Sequence, residues 1–186
     1  PLTDKQILGV LFNNLAGLTH LRGNDALALQ RYNRSLELAP ANPAALYNRG
    51  CVLQQFKRHD EALASYDRVL ALMPDNFAAL HNRGAALQQL QRYEDALASY
   101  DRALAIEPDD VEALTNRGVT LYELKRFDDA LASQDRALAI TPDFAEALSN
   151  RANVLLDLKR PAEAFASWER ALAIKPDFAD ALNNRG

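Results

Sequence analysis

Only one cysteine, one methionine and one tryptophan occur in 186 residues, and glycine and proline are scarce at 7 and 8. With Cys51 alone no internal disulfide can form, which fits a reducing compartment and makes a cytoplasmic location the expectation. No apolar run approaches the roughly 18 residues of a membrane span, and no charged-then-apolar start resembles a signal peptide. A basic excess is missing too: 21 Lys and Arg stand against 25 Asp and Glu, a formal net charge of −4. Neither nucleic acid nor an anionic membrane is an expected partner of such a surface. Catalytic patterns are also lacking. His20, His59 and His81 fall in unrelated contexts, Cys51 has no His at a recognisable spacing, and no Gly-rich phosphate loop or metal-ligand cluster occurs. The acidic run Asp109-Asp110-Glu112 is explained by helix-start electrostatics. The sequence therefore predicts no enzyme, no cofactor and no metal.

What is present is a repeat. Pro40, Pro74, Pro108, Pro142 and Pro176 are spaced 34 residues apart. Five units follow, at 9–42, 43–76, 77–110, 111–144 and 145–178, with a partial sixth at 179–186 and an N-terminal helical extension at 1–8. Since 48% of residues are apolar, nothing reads as disordered, and one array spanning 1–186 is the expected domain. The chain starts at Pro1 without a methionine and stops at Gly186 partway through a helix, as expected of a segment of a longer protein.

Each unit predicts two helices. Thr3-Asp4-Lys5-Gln6 has the pattern of a capping box opening the first. Leu46, Gly50 and Leu53, repeated as Leu80, Gly84 and Leu87 and again as Leu148, Ala152 and Leu155, lie on one helical stripe. A glycine in a helix interior costs about 1 kcal/mol relative to alanine, so Gly50, Gly84 and Gly118 imply close approach of the second helix. That helix buries Ala62, Leu63, Tyr66, Val69 and Leu70. The slot of Tyr66 holds Tyr32, Tyr100, Gln134 and Trp168, and the polar Gln134 must find a partner or pack loosely. The prolines end the second helices, and Asp75, Asp109, Asp143 and Asp177 are placed to cap the next first helix, with Glu112 and Glu146 completing capping boxes.

A 34-residue period with Leu80, Gly84, Leu87, Tyr93, Ala96, Tyr100, Ala103 and Pro108 in the best copy resembles the tetratricopeptide-repeat family. The resemblance covers nearly the whole chain. It implies an all-α, right-handed superhelical solenoid of antiparallel helix pairs, whose concave groove binds a peptide or protein segment.

Two polar rows recur beside the core. Asn14, Asn48, Asn82, Asn116, Asn150 and Asn184 sit two residues after a residue of the buried stripe, Phe12 for the first and leucine for the rest. That is about 200° around the helix, so they face away from the buried stripe, on what the resemblance makes the concave side. The row is similar to the repeat region of O-GlcNAc transferases, where amides hold an extended peptide by its backbone. Arg49, Arg83, Arg117, Arg151 and Arg185 follow directly, and an acid recurs at Asp67, Asp101, Asp135 and Glu169. Repeat one has Leu15 and Asn33 instead. The co-occurrence predicts bridges within a repeat, such as Arg49 to Asp67, or between neighbours.

The expected function is a protein–protein interaction scaffold binding an extended segment. Alternatives are the substrate-recruiting arm of a larger enzyme such as a glycosyltransferase, or a self-assembly module. Ligand choice falls to Tyr47, Gln54, His81 and Gln88, then Glu112, Glu123, Glu146 and Asp157, so basic ligand residues are expected towards the C-terminal end. Family members that clamp a C-terminal carboxylate use Lys or Arg where this chain has Val10, Ala44, Ala78, Glu112, Glu146 and Asp180, which disfavours that mode. Arrays usually close with a polar cap. A half repeat cannot fully cover Phe165, Trp168 and Leu172, so end-to-end, head-to-tail self-stacking is expected.

Overall fold

A computed structural model of the chain describes residues 3–176. Its helices fall into two compact units, Pro1–Gln91 and Arg92–Gly186. The first holds α1 (Asp4–Leu21), α2 (Asp25–Leu38), α3 (Pro43–Gln55), α4 (His59–Leu72) and α5 (Phe77–Gln89). The second holds α6 (Tyr93–Ile106), α7 (Val111–Glu123), α8 (Phe127–Ile140), α9 (Ala145–Asp157) and α10 (Pro161–Ile174). No strand occurs among the described residues, and no helix among them is long and apolar enough to cross a membrane. The architecture is an all-α array of helical repeats.

The turn inside each repeat is set by one backbone position. Gly23, Lys57, Gln91, Lys125 and Lys159 all adopt positive φ, between 57° and 75°. The next amide reaches back five residues, as in Arg58 N to Leu53 O, Arg126 N to Leu121 O and Arg160 N to Leu155 O, each at 2.9 Å. This is the Schellman closure, which usually takes glycine at the left-handed residue; only repeat one supplies it.

Second helices stop where the prolines require. Residues before proline are pushed out of the α region, and Ala39, Met73, Glu107, Thr141 and Lys175 are the C-caps, with φ between −121° and −137°. The capping expectation shifts by one residue. Asn42, Asn76 and Asp110 cap α3, α5 and α7, accepting from Ala45, Ala79 and Ala113 N. Asp75, Asp109 and Asp143 instead lie exposed in the preceding turn. The cause is a short turn after the proline, closed by Asn76 N to Met73 O and Asp110 N to Glu107 O. In α9 the cap position is Phe144, which has no side-chain cap, so the Asp143–Glu146 and Asp109–Glu112 capping boxes do not form. The box at Thr3 and Gln6 does.

In the first unit Ala16, Tyr32, Leu53 and Tyr66 belong to one buried cluster, and Leu36, Leu46 and Val69 to another. In the second, Leu121, Leu148, Leu155 and Trp168 form the core. A Cβ on Gly50 would stand 2.6 Å from the Tyr66 ring, and one on Gly118 would overlap the Gln134 amide. The small residues are therefore required by helix packing. Gln134 is fully buried and its Nε2 donates to Thr115 O at 3.1 Å, while its Oε1 has no partner. At the other end of the second unit, Phe165 is 44% exposed but Trp168 is fully buried within its own cluster, so the open apolar surface expected there excludes the tryptophan.

Candidate peptide-binding face

The asparagine row does not behave uniformly. In the first unit Asn82 on α5 donates to the Tyr47 hydroxyl on α3 at 2.9 Å and lies 3.7 Å from Cys51 Sγ. Tyr66 Oη approaches the same sulfur at 3.6 Å and donates to Gln54 Oε1. Tyr47 and Tyr66 rings are tilted with centroids 6.0 Å apart. Cys51 thus sits among polar groups. Burial, reinforced by Cys51 and opposed by the Asn82 bond, pushes the Tyr47 hydroxyl up to about 12. Asn48 is half-buried with no side-chain partner among the described residues. Asn14 is exposed and accepts from Asn13 at 3.4 Å. His81 packs on Phe77 of its own helix, 5.9 Å between ring centres, and Gln88 is half-buried on α5.

In the second unit, α7 and α9 share two depressions. One, of about 410 Å³, is lined by Glu112, Thr115, Asn116, Phe144, Glu146 and Asn150. The other, of about 160 Å³, is lined by Gly118, Tyr122, Glu123, Gln134, Asn150 and Asn153 among others. Asn150 borders both, and its amide has no hydrogen-bond partner among the described residues. Tyr122 Oη donates to Asp157 Oδ2 at 2.6 Å. That bond, with burial, pushes the hydroxyl up to about 12. Lys125 Nζ lies 5.5 Å from the Tyr122 ring centre. Glu146 meets Lys175 Nζ at 3.1 Å. Burial alone would raise its carboxyl, but its own backbone amide and the ammonium outweigh burial and hold it below the usual range. Asn184 lies outside the described residues.

Four of the sequence-predicted residues, Glu112, Asn116, Glu146 and Asn150, therefore meet at one depression, and Glu123 joins Asn150 at the next. Tyr122 and Asn153 were not expected. The signal was available: Tyr122 occupies the slot of Gln54 and Gln88, whereas Glu123 and Asp157 belong to the slot one residue on.

The arginine row bonds between neighbours as well as within repeats. Arg83 Nε meets Asp67 Oδ1, Arg117 meets Asp101, and Arg151 meets Asp135, each at 2.6 Å. Each acid comes from the preceding repeat, which corrects an Arg49–Asp67 bridge. Arg49 instead donates to Asn33 at 2.7 Å. Inside the repeat the arginine donates to a serine, at 2.7 Å for Arg49–Ser65 and 2.6 Å for Arg117–Ser133, and Arg49 also lies 3.7 Å from Glu61. Repeat one inverts this: Arg31 occupies the serine slot and reaches Thr19 Oγ1 and Leu15 O. A further row went unread despite its 34-residue period: Arg68, Arg136 and Arg170 donate to the carbonyls of Pro40, Pro108 and Pro142.

No curated protein matches the chain. Among solved structures it is similar to YrrB, described as a TPR protein with an unusual peptide-binding site: 25% identity, TM-score 0.81, covering 94% of this chain and 90% of that one. MamA from Desulfovibrio magneticus RS-1 superposes with TM-score 0.87 at 20% identity, over 96% of this chain and 99% of the other. PilW, a type IV pilus biogenesis factor, gives 0.81 at 24%, over 95% and 86%. Tetratricopeptide-repeat models match residues 42–106, 81–145 and 145–178, and with the helix pairs, the glycine-aromatic contacts and the 34-residue period in place, the chain belongs to the tetratricopeptide-repeat family.

Proposed function

We propose that this interaction module holds an extended segment of another protein against the asparagine-bearing faces of its first helices. The observation that carries the reading is Asn150, an unpartnered amide at the border of two depressions that Asn116 and Asn153 also line. An amide offers donors and an acceptor together, which suits a peptide backbone. Packed helices lie about 8–10 Å apart and an extended peptide advances about 3.3 Å per residue, so one asparagine meets the ligand at roughly every third residue. The peptide-binding site named for YrrB supports the reading by similarity.

Ligand choice then comes from Glu112, Glu146 and Glu123 beside these amides, and from Asp157 on the Tyr122 hydroxyl. Lys or Arg residues of the ligand meet these acids, one of them replacing Lys175 at Glu146. Titrating the isotope-labelled chain with an unstructured peptide carrying Lys at every third residue should shift the Asn116, Asn150 and Tyr122 signals, less so as salt rises. The same peptide with Glu for Lys should shift them far less. Equal response to both peptides, or none to either, contradicts the proposal.

A further inference from the structure

The first repeat differs from the others at the positions that meet the preceding repeat. Where α3, α5, α7 and α9 have Ala45, Ala79, Ala113 and Ala147, all fully buried, α1 has Leu11, 56% exposed. Where they have Val52, Ala86, Thr120 and Val154, buried to within 1%, α1 has Leu18, also 56% exposed. Leu36 shares a cluster with Ala45, and Leu29 shares one with Val52, so these slots are covered by the second helix before them. At the slot whose arginine binds the preceding repeat's polar side chain in the later repeats, α1 has Leu15. A second helix of the same kind would meet leucine in place of alanine and find no arginine for its acid. The face of α1 is apolar but unsuited to another repeat.

Its residues have an order of their own. Asp4, Leu8, Leu11, Leu15, Leu18 and Arg22 are spaced 4, 3, 4, 3 and 4 apart. That is the heptad seam of two helices packed side by side. Leu8 and Leu15 are also exposed, and neither Asp4 nor Arg22 has an ion-pair partner among the described residues. The spacing is symmetric about its midpoint. Two copies laid antiparallel set Leu8 against Leu18, Leu11 against Leu15, and Asp4 against Arg22 of the second copy. Laid parallel, they would set Asp4 against Asp4 and Arg22 against Arg22. The charges therefore select the antiparallel pairing, in which every contact occurs twice about a two-fold axis, as in an isologous dimer.

We infer that α1 is a self-association surface and that two copies of the chain pair through antiparallel α1 helices. End-to-end stacking thereby takes a head-to-head form that closes as a dimer, in place of a head-to-tail form that would continue. The inference rests on α1 alone and is independent of peptide binding.

Sedimentation equilibrium of the chain should give a mass approaching twice 20.6 kDa as concentration rises. Leu11→Asp should weaken the dimer about ten-fold or more; because Leu11 is exposed, its helical circular dichroism and melting temperature should match the parent's at dilutions where both are monomers. Asp4→Arg or Arg22→Asp alone should weaken it about two- to five-fold, and the double swap should restore it. A monomer at every soluble concentration overturns the inference, as does a dimer indifferent to Leu11→Asp. A double swap no better than either single change overturns the antiparallel register.

Discussion

Gly50 and Gly118 occupy equivalent positions but meet different neighbours. A Cβ on Gly50 would collide with the rigid Tyr66 ring, 2.6 Å away, whereas on Gly118 it would meet the end of the Gln134 side chain. Alanine gains about 1 kcal/mol in a helix interior over glycine, but overpacking costs typically 1–3 kcal/mol. Gly50→Ala should therefore lose up to about 2 kcal/mol, and Gly118→Ala less, because the end of the Gln134 side chain can give way where the ring cannot, at the expense of its bond to Thr115 O. Urea unfolding of the two variants checks this, and the reverse order would contradict it. The packing reason for the glycines was legible because they recur where a helix otherwise rejects them. The left-handed turn residues were not, since Lys57, Gln91, Lys125 and Lys159 carry no glycine signal and only Gly23 does.

The helix pairs were legible from the repeated apolar stripes, and their ends were less so. A proline fixes where a second helix stops, but the length of the turn after it decides which polar residue caps the next. Asp109 was the sequence choice and Asp110 is the cap. Asp110→Ala should cost about 1 kcal/mol and Asp109→Ala only a few tenths, measured by thermal unfolding. Links between elements follow the same lesson, because a period shows that two rows co-occur but not which members meet. Arg83→Leu should couple to Asp67→Leu by at most about 1 kcal/mol, as expected of a partly exposed pair, and should be additive with Asp101→Leu. Coupling to Asp101 in place of Asp67 would refute the observed pairing. Lys175 on the C-cap of α10 ties down Glu146 near the start of α9, with the carboxyl held below its ordinary range. A lowered folded pKa contributes stability above the unfolded value and loses it as pH falls through the folded one. Glu146→Gln should thus lower the melting temperature at neutral pH and match the parent once the medium is acidified below the ordinary glutamate range; a difference that persists in acid would rule out the ion pair as its source.

Across the whole molecule, the asparagine positions were legible from the period alone, but their roles were not. Whether a given amide is engaged depends on a neighbour that does not repeat. Tyr47 occurs in one repeat only, and it holds Asn82; the position that would face Asn150 in the same way is Thr115, whose hydroxyl donates to Val111 O at 2.8 Å, and it makes no such bond among the described residues. The row thus includes an amide that ties helices together, Asn82, and amides with no partner among the described residues, Asn48 and Asn150. Substituting Asn82 by alanine should lower the melting temperature, since the Tyr47 hydroxyl loses its donor. The decisive measurement is on the chain with Asn48→Ala and Asn150→Ala combined, comparing its melting temperature and its calorimetric affinity for the lysine-bearing extended peptide with those of the parent. An unchanged melting temperature with affinity reduced about ten-fold or more is the predicted result; unchanged affinity would contradict the account.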